Sequence, residues 1–171
     1  MTATIHSIWL MPVAPDEALL AGIVTELSVR FGTPVFAPHL TVLGDSETAA
    51  ERLRQAIQAA AGQVTAFAED VRAVETSESY FRSFYARFAV APSLARLKQA
   101  LDPQGLDSFM PHVSLLYGAV EAAAKAAAAR EIGERLAGRS LRFDRLCVVT
   151  SGQHIPIADW RVAAAAPLAG A

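Results

Sequence analysis

The chain alternates short apolar runs with stretches of helical periodicity. Ile5 to Met11 is an apolar run stopped by Pro12, and it predicts a strand. Pro15 and Asp16 open a helical pattern. Leu20, Ile23, Val24, Leu27 and Phe31 recur at helical spacing, and Gly32 closes it. Pro38 to Leu43 predicts a second, short strand. Asp45 and Ser46 are N-cap candidates for a helix that carries Leu53, Ile57 and Ala60 on one face and ends at Gly62. Val64 to Glu75 predicts a further strand.

The same order then recurs. Phe81 to Val90 predicts a strand, and Pro92 and Ser93 open a helix with Leu94, Leu97 and Leu101. A turn-rich connection, Asp102-Pro103-Gln104-Gly105, leads to a strand at Pro111 to Leu116. A helix from about Glu121 ends near Gly138. Leu141 to Thr150 and Trp160 to Ala165 predict strands. The chain thus reads as one domain, 1–171, with internal repeats roughly 1–78 and 79–171. Two copies are too few for a solenoid. The expected fold is α+β and bilobal, with a pseudo-twofold axis and the two equivalent short strands facing each other across a cleft. No linker composition separates the halves.

Composition narrows the classes. The 171 residues can bury a real core. With 53% hydrophobic and 19% charged residues, the chain is not of the disordered class. Lys+Arg number 15 against 17 for Asp+Glu, a net charge of −2, so no global basic excess exists to hold long nucleic acid. A small or short-ended anionic substrate needs only a few local donors. The single cysteine, Cys147, excludes an internal disulfide framework and a multi-cysteine zinc site. Its setting, Leu146-Cys147-Val148-Val149, reads as a buried strand. There is no signal-peptide pattern and no uncharged apolar run of membrane-spanning length. A monomeric cytoplasmic protein with no membrane partner is expected.

The two short strands carry the chemistry. Pro38-His39-Leu40-Thr41-Val42 and Pro111-His112-Val113-Ser114-Leu115 share one pattern, with Gly44 and Gly118 shortly after. In a strand, residues i and i+2 point to one face, so each segment presents an imidazole beside a hydroxyl. Histidine titrates near neutrality. Two imidazoles flanking a phosphorus can act as base and acid in line. Thr41 and Ser114 would hydrogen-bond the non-bridging oxygens. The scheme needs no metal or other cofactor, and no helical His-Glu-x-x-His or carboxylate cluster lies near either histidine.

On these two motifs, and on Ser7-Ile8-Trp9 near the start, the chain resembles the 2H phosphoesterases. The resemblance is nearest to the cyclic phosphodiesterase branch and covers the whole chain in element order. It implies two antiparallel sheets lining a central cleft, with helices outside. It implies His39 and His112 as the catalytic pair, and Thr41 and Ser114 as phosphate-binding hydroxyls. Tyr117 matches a substrate-contacting tyrosine after the second motif. The implied reaction opens a 2′,3′-cyclic nucleotide, or the 1″,2″-cyclic phosphate of ADP-ribose, to a monoester. The resemblance assigns His112 as base and His39 as acid. The disulfides of the plant enzymes do not transfer to a chain with one cysteine.

Three further readings accompany this one. The strand from Phe81 puts Ser83, Tyr85 and Arg87 on its polar face, so Tyr85 is expected to line the cleft and bind substrate, with Arg87 beside it. Trp9 is a candidate to stack a nucleobase. His6 and His154 are expected to be structural or surface residues, and Trp160 to serve core or lobe packing. The expected partner is a small cyclic-phosphate nucleotide or a short RNA end. The competing functions are a 2′-5′ RNA ligase-like or RNA-end-processing phosphoesterase and a non-catalytic nucleotide- or RNA-binding module.

Overall fold

A computed structural model describes residues 4–171. The first strand, β1 (His6–Pro12), shows how the sheet acquires two working faces. Ile8 and Leu10 point into the main core. Trp9 and Met11 point the other way and form a second cluster with Cys147 and Val149. The remaining elements are α1 (Ala14–Phe31), β2 (Leu40–Ser46), α2 (Ala50–Ala61), β3 (Phe67–Asp70), β4 (Ala73–Thr76), β5 (Phe84–Arg87), α3 (Pro92–Leu101), β6 (His112–Leu116), α4 (Ala122–Leu136), β7 (Ser140–Thr150) and β8 (Arg161–Pro167). The fold is α+β, with four α-helices among the described residues and antiparallel pairing between the strands of the sheet. No helix among the described residues is long and apolar enough to cross a membrane.

The strands lie in the order β3-β7-β1-β2-β6-β5-β4, and β8 also pairs with β7, beyond the stretch that β3 takes. The order is symmetric about the β2/β6 junction: β1 corresponds to β5, and β7 to β4. The first half therefore gives its last strand, β4, to the other half's sheet, and the second half gives β7 and β8. β7 pairs with β1 from the first half, and β4 pairs with β5 from the second. The lobes exchange strands, so they are not the two stretches of sequence. The continuous strand expected over Val64 to Glu75 is accordingly cut in two. Val71 N–H donates to the Arg139 carbonyl in one lobe, and the next residue, Arg72, donates to the Arg87 carbonyl in the other.

The lobes meet at one residue pair, Leu40 opposite Val113. Both side chains are fully buried. The two motif strands are thus neighbours on the cleft floor rather than walls facing across it. Apolar side chains at Leu40, Val42, Val113 and Leu115 anchor these strands in the helix-packed core. The residues between them are turned to the opposite face.

Candidate active site

That opposite face is a cleft of about 420 Å³, and His39, Thr41, His112, Ser114 and Tyr117 all line it. The antiparallel register explains their grouping. His39 and Thr41 flank Leu40, and His112 and Ser114 flank Val113. Because the strands run in opposite directions, His39 lies toward Ser114 and Thr41 toward His112. Each imidazole therefore has its own motif's hydroxyl along the strand and the other motif's hydroxyl across it.

Both histidines are held the same way. Nδ1 of His39 donates to the Ala37 carbonyl at 2.7 Å, and Nδ1 of His112 donates to the Met110 carbonyl at 2.8 Å. A carbonyl oxygen only accepts, so Nδ1 carries the proton and Nε2 is left for chemistry. Pro38 and Pro111 explain the repetition. Each holds the residue before it extended, and it is that residue's carbonyl that the imidazole meets.

The electrostatic settings differ. His39 is buried beneath Trp9, whose ring stacks on it with centroids 3.5 Å apart and planes within 7°. Burial lowers its pKa to about 4, and His112 adds a smaller push in that direction. Burial also lowers the pKa of His112, with Arg82 contributing. Tyr85 packs edge-on against the His112 ring at 5.2 Å. Both shifts favour the neutral imidazole near neutrality.

Ser114 Oγ donates to the carbonyl of Phe81 at 3.3 Å, which ties the second motif to the 3₁₀ turn Tyr80–Arg82. Tyr117 is buried and stacks on Phe36 with centroids 3.8 Å apart. Its burial pushes the phenol up, and the neighbouring Ser114 hydroxyl opposes that. Gly118 sits at φ +147°, where a Cβ would stand 2.9 Å from Thr33 Cγ2. Gly44 has open space around it, so the two trailing glycines are not equivalent.

Two expected contacts take another form. Tyr85 stands opposite Ser114 on the cleft face, but it is not among the residues that line the cleft. Its hydroxyl donates to Glu75 Oε2 at 3.2 Å, and Arg87 pairs with the same carboxylate at 3.1 Å. The exchanged strand β4 supplies Glu75, which already engages the Tyr85 hydroxyl and Arg87 Nη2, while Arg87 Nε is buried without a partner among the described residues. Trp9 does line the cleft, with one face covered by His39 and an edge contact to Trp160 at 5.7 Å. It supports His39 rather than offering that face to a base.

The sequence reading missed Arg82, the single lysine or arginine lining the cleft among the described residues. It also missed Asp45 and Gln153, and it placed Trp160 in packing alone. The segment bearing Arg82 is held from outside by Lys125 of α4. Its buried ammonium donates to the Ser77 carbonyl at 2.7 Å and to Ser83 Oγ at 3.0 Å. The expected strand start at Phe81 gives way to this pinned turn. Cys147 is buried with its thiol pushed up by burial, as suits a packing residue.

Known proteins share this fold. E. coli LigT complexed with 3′-AMP superposes with a TM-score of 0.60 at 16% identity, covering 98% of this chain and 99% of that one. TT0787 of Thermus thermophilus superposes with a TM-score of 0.63 at 18% identity, covering 96% and 97%. E. coli LigT complexed with phosphate gives 0.56 at 16% identity, covering 96% and 97%. No curated protein sequence matches the chain. The profile of one family, described as the 2′-5′ RNA ligase superfamily, matches residues 17–154, which span both motifs and the strands that carry them. The chain belongs to the 2′-5′ RNA ligase superfamily, the group of 2H phosphoesterases.

Proposed function

We propose that the protein hydrolyses a cyclic phosphodiester on a nucleotide, such as a 2′,3′-cyclic nucleotide, by acid–base catalysis between His39 and His112. The observation that carries this reading is the twofold placement of the two imidazoles. Each has Nδ1 committed to a carbonyl, and each shares the cleft face with two hydroxyls. Nε2 of one neutral imidazole takes a proton from water as the water oxygen bonds to phosphorus. The bond from phosphorus to one ribose oxygen breaks, and the other imidazole, as a cation, protonates that oxygen. The product is a phosphate monoester with a free hydroxyl.

Thr41 and Ser114 donate to the non-bridging oxygens, and Arg82 offsets their charge. His39 loses its proton more readily, because burial under Trp9 holds its pKa down at about 4. A low pKa keeps an imidazole neutral and also makes its cation a readier acid, so it fits either role, and the order implied by resemblance, His112 as base and His39 as acid, is the one proposed. Membership of a superfamily of phosphoesterases and ligases supports a phosphoester reaction, and the modest size of the cleft favours a small cyclic ester.

Incubation with adenosine 2′,3′-cyclic phosphate in the presence of a chelator, followed by phosphorus NMR, tests the proposal. A single monophosphate regioisomer is expected. Unchanged cyclic phosphate across a panel of nucleosides, with tight binding, would point instead to a non-catalytic nucleotide-binding module.

A further inference from the structure

The two motif strands share one rung, Leu40 opposite Val113. A second tie between the motif segments runs through Lys98 of α3. Its side chain is buried, and Nζ donates at 2.7 Å to the carbonyl of Val42, the residue after Thr41. Nζ also donates to Asp102 Oδ2 at 2.7 Å and stands 4.9 Å from the centre of the Phe109 ring. Helical spacing sets Lys98 beside Leu94 and Leu101, on the face of α3 that enters the core. Burying an ammonium there is costly, and an apolar residue of similar size often fills such a position at least as stably. The cost is offset through its three partners. One belongs to β2, and the other two belong to the connection from α3 to β6.

That connection is wrapped round the ammonium. The turn Pro103–Gly105 presses its backbone against the ion pair. A Cβ at Gly105 would stand 2.5 Å from Asp102 Oδ2 and 3.0 Å from Lys98 Nζ. Asp102 N–H donates to the Lys98 carbonyl at 2.8 Å, and Phe109 N–H donates to the Leu106 carbonyl at 3.2 Å. The residue after Phe109 is Met110, whose carbonyl accepts from His112 Nδ1. Lys98 therefore grips the chain one residue past the first motif hydroxyl and one residue before the carbonyl that fixes the second histidine.

Resting on the function proposed above, we infer that Lys98 is a positioning residue for the second motif: braced on Val42, it holds the 102–110 connection so that the Met110 carbonyl keeps the His112 proton on Nδ1. Lys98 does not line the cleft and acts through Phe109 and Met110. With the carbonyl displaced, the His112 proton is free to move to Nε2. An Nε2 that already carries a proton cannot take one from water, so the base is lost although the imidazole remains. His39 takes its bond from Ala37, outside this linkage, and serves as an internal control.

The test is Lys98→Met, read in two ways. Long-range proton–nitrogen NMR of the imidazoles near neutrality reports the tautomers and needs no turnover. Both histidines should show the Nδ1–H form in the wild type. In Lys98→Met, His112 should move toward the Nε2–H form while His39 keeps its own. With adenosine 2′,3′-cyclic phosphate, kcat should fall about 10-fold or more and KM should stay within about 2-fold, because a misplaced catalytic group costs rate. Gly105→Ala is the second variant, for use if Lys98→Met does not fold. Its Cβ meets the ends of two flexible side chains, so it displaces the ion pair and keeps the lysine. It should move both readouts in the same direction by a smaller amount. A wild-type His112 tautomer in the folded variant would overturn the inference whatever the rate does, and so would an unchanged kcat. A shifted tautomer in a protein whose wild type hydrolyses no cyclic nucleotide would keep the role of Lys98 and sink the hydrolytic function.

Discussion

Trp9 and His39 lie face to face, with ring centroids 3.5 Å apart and planes within 7°. The contact couples the first strand to the first motif and removes His39 from water. It also makes His39 costly to charge. In the unfolded chain this histidine titrates near 6.5, and in the folded protein at about 4. Between those values the unfolded state holds more protons. Stability is therefore lost as pH falls from 6.5 toward 4, by up to about 3 kcal/mol at this one group. A Trp9→Leu variant should raise the His39 midpoint toward 6.5 in an NMR titration and flatten the acid loss in denaturant melts. An unshifted midpoint would show that the indole is not what desolvates the imidazole.

The rate should follow the same pair. One imidazole must be neutral and the other charged, so kcat/KM should be bell-shaped in pH. His39 is held at about 4 and His112 below its usual 6.5, so the maximum should lie on the acid side of neutrality. The profile reports the pair, whichever member is base. A plateau through neutrality to about pH 9 would contradict the scheme.

Lys125 is a positioning residue for the turn that carries Arg82. Its ammonium bridges Ser77 and Ser83 from behind. Lys125→Met leaves the buried Ser83 hydroxyl and the half-buried Ser77 carbonyl without their donor and should cost about 1–3 kcal/mol in chemical denaturation. KM should rise more than kcat falls, because Arg82 meets the substrate's charge. Loss of stability with unchanged KM would confine Lys125 to a structural role.

The motif residues were readable because two local rules agree. Alternation sends His39, Thr41, His112 and Ser114 to one face, and a repeated proline gives both histidines the same hydrogen bond. The helices were readable from their periodic apolar faces and closing glycines. The strand exchange was not. Val64 to Glu75 has no glycine or proline at its break, and the split at Val71 and Arg72 exists only because each finds a partner in a different lobe. Arg82 escaped for a related reason. Phe81 prolongs an apolar strand pattern, and the turn that replaces it is imposed by Lys125, Ser77 and Ser114 from elsewhere in the chain. Tyr85 was assigned to the correct face, but Glu75 from the exchanged strand takes its hydroxyl.

The central claim is that two imidazoles form one composite catalytic site. It is tested most directly by steady-state turnover of a 2′,3′-cyclic nucleotide by wild-type protein, His39→Ala and His112→Ala, each checked for fold by circular dichroism. Each substitution should lower kcat by about 100-fold or more while the spectrum is preserved, as expected for loss of a general acid or base. Near-full activity in either folded variant would contradict the account.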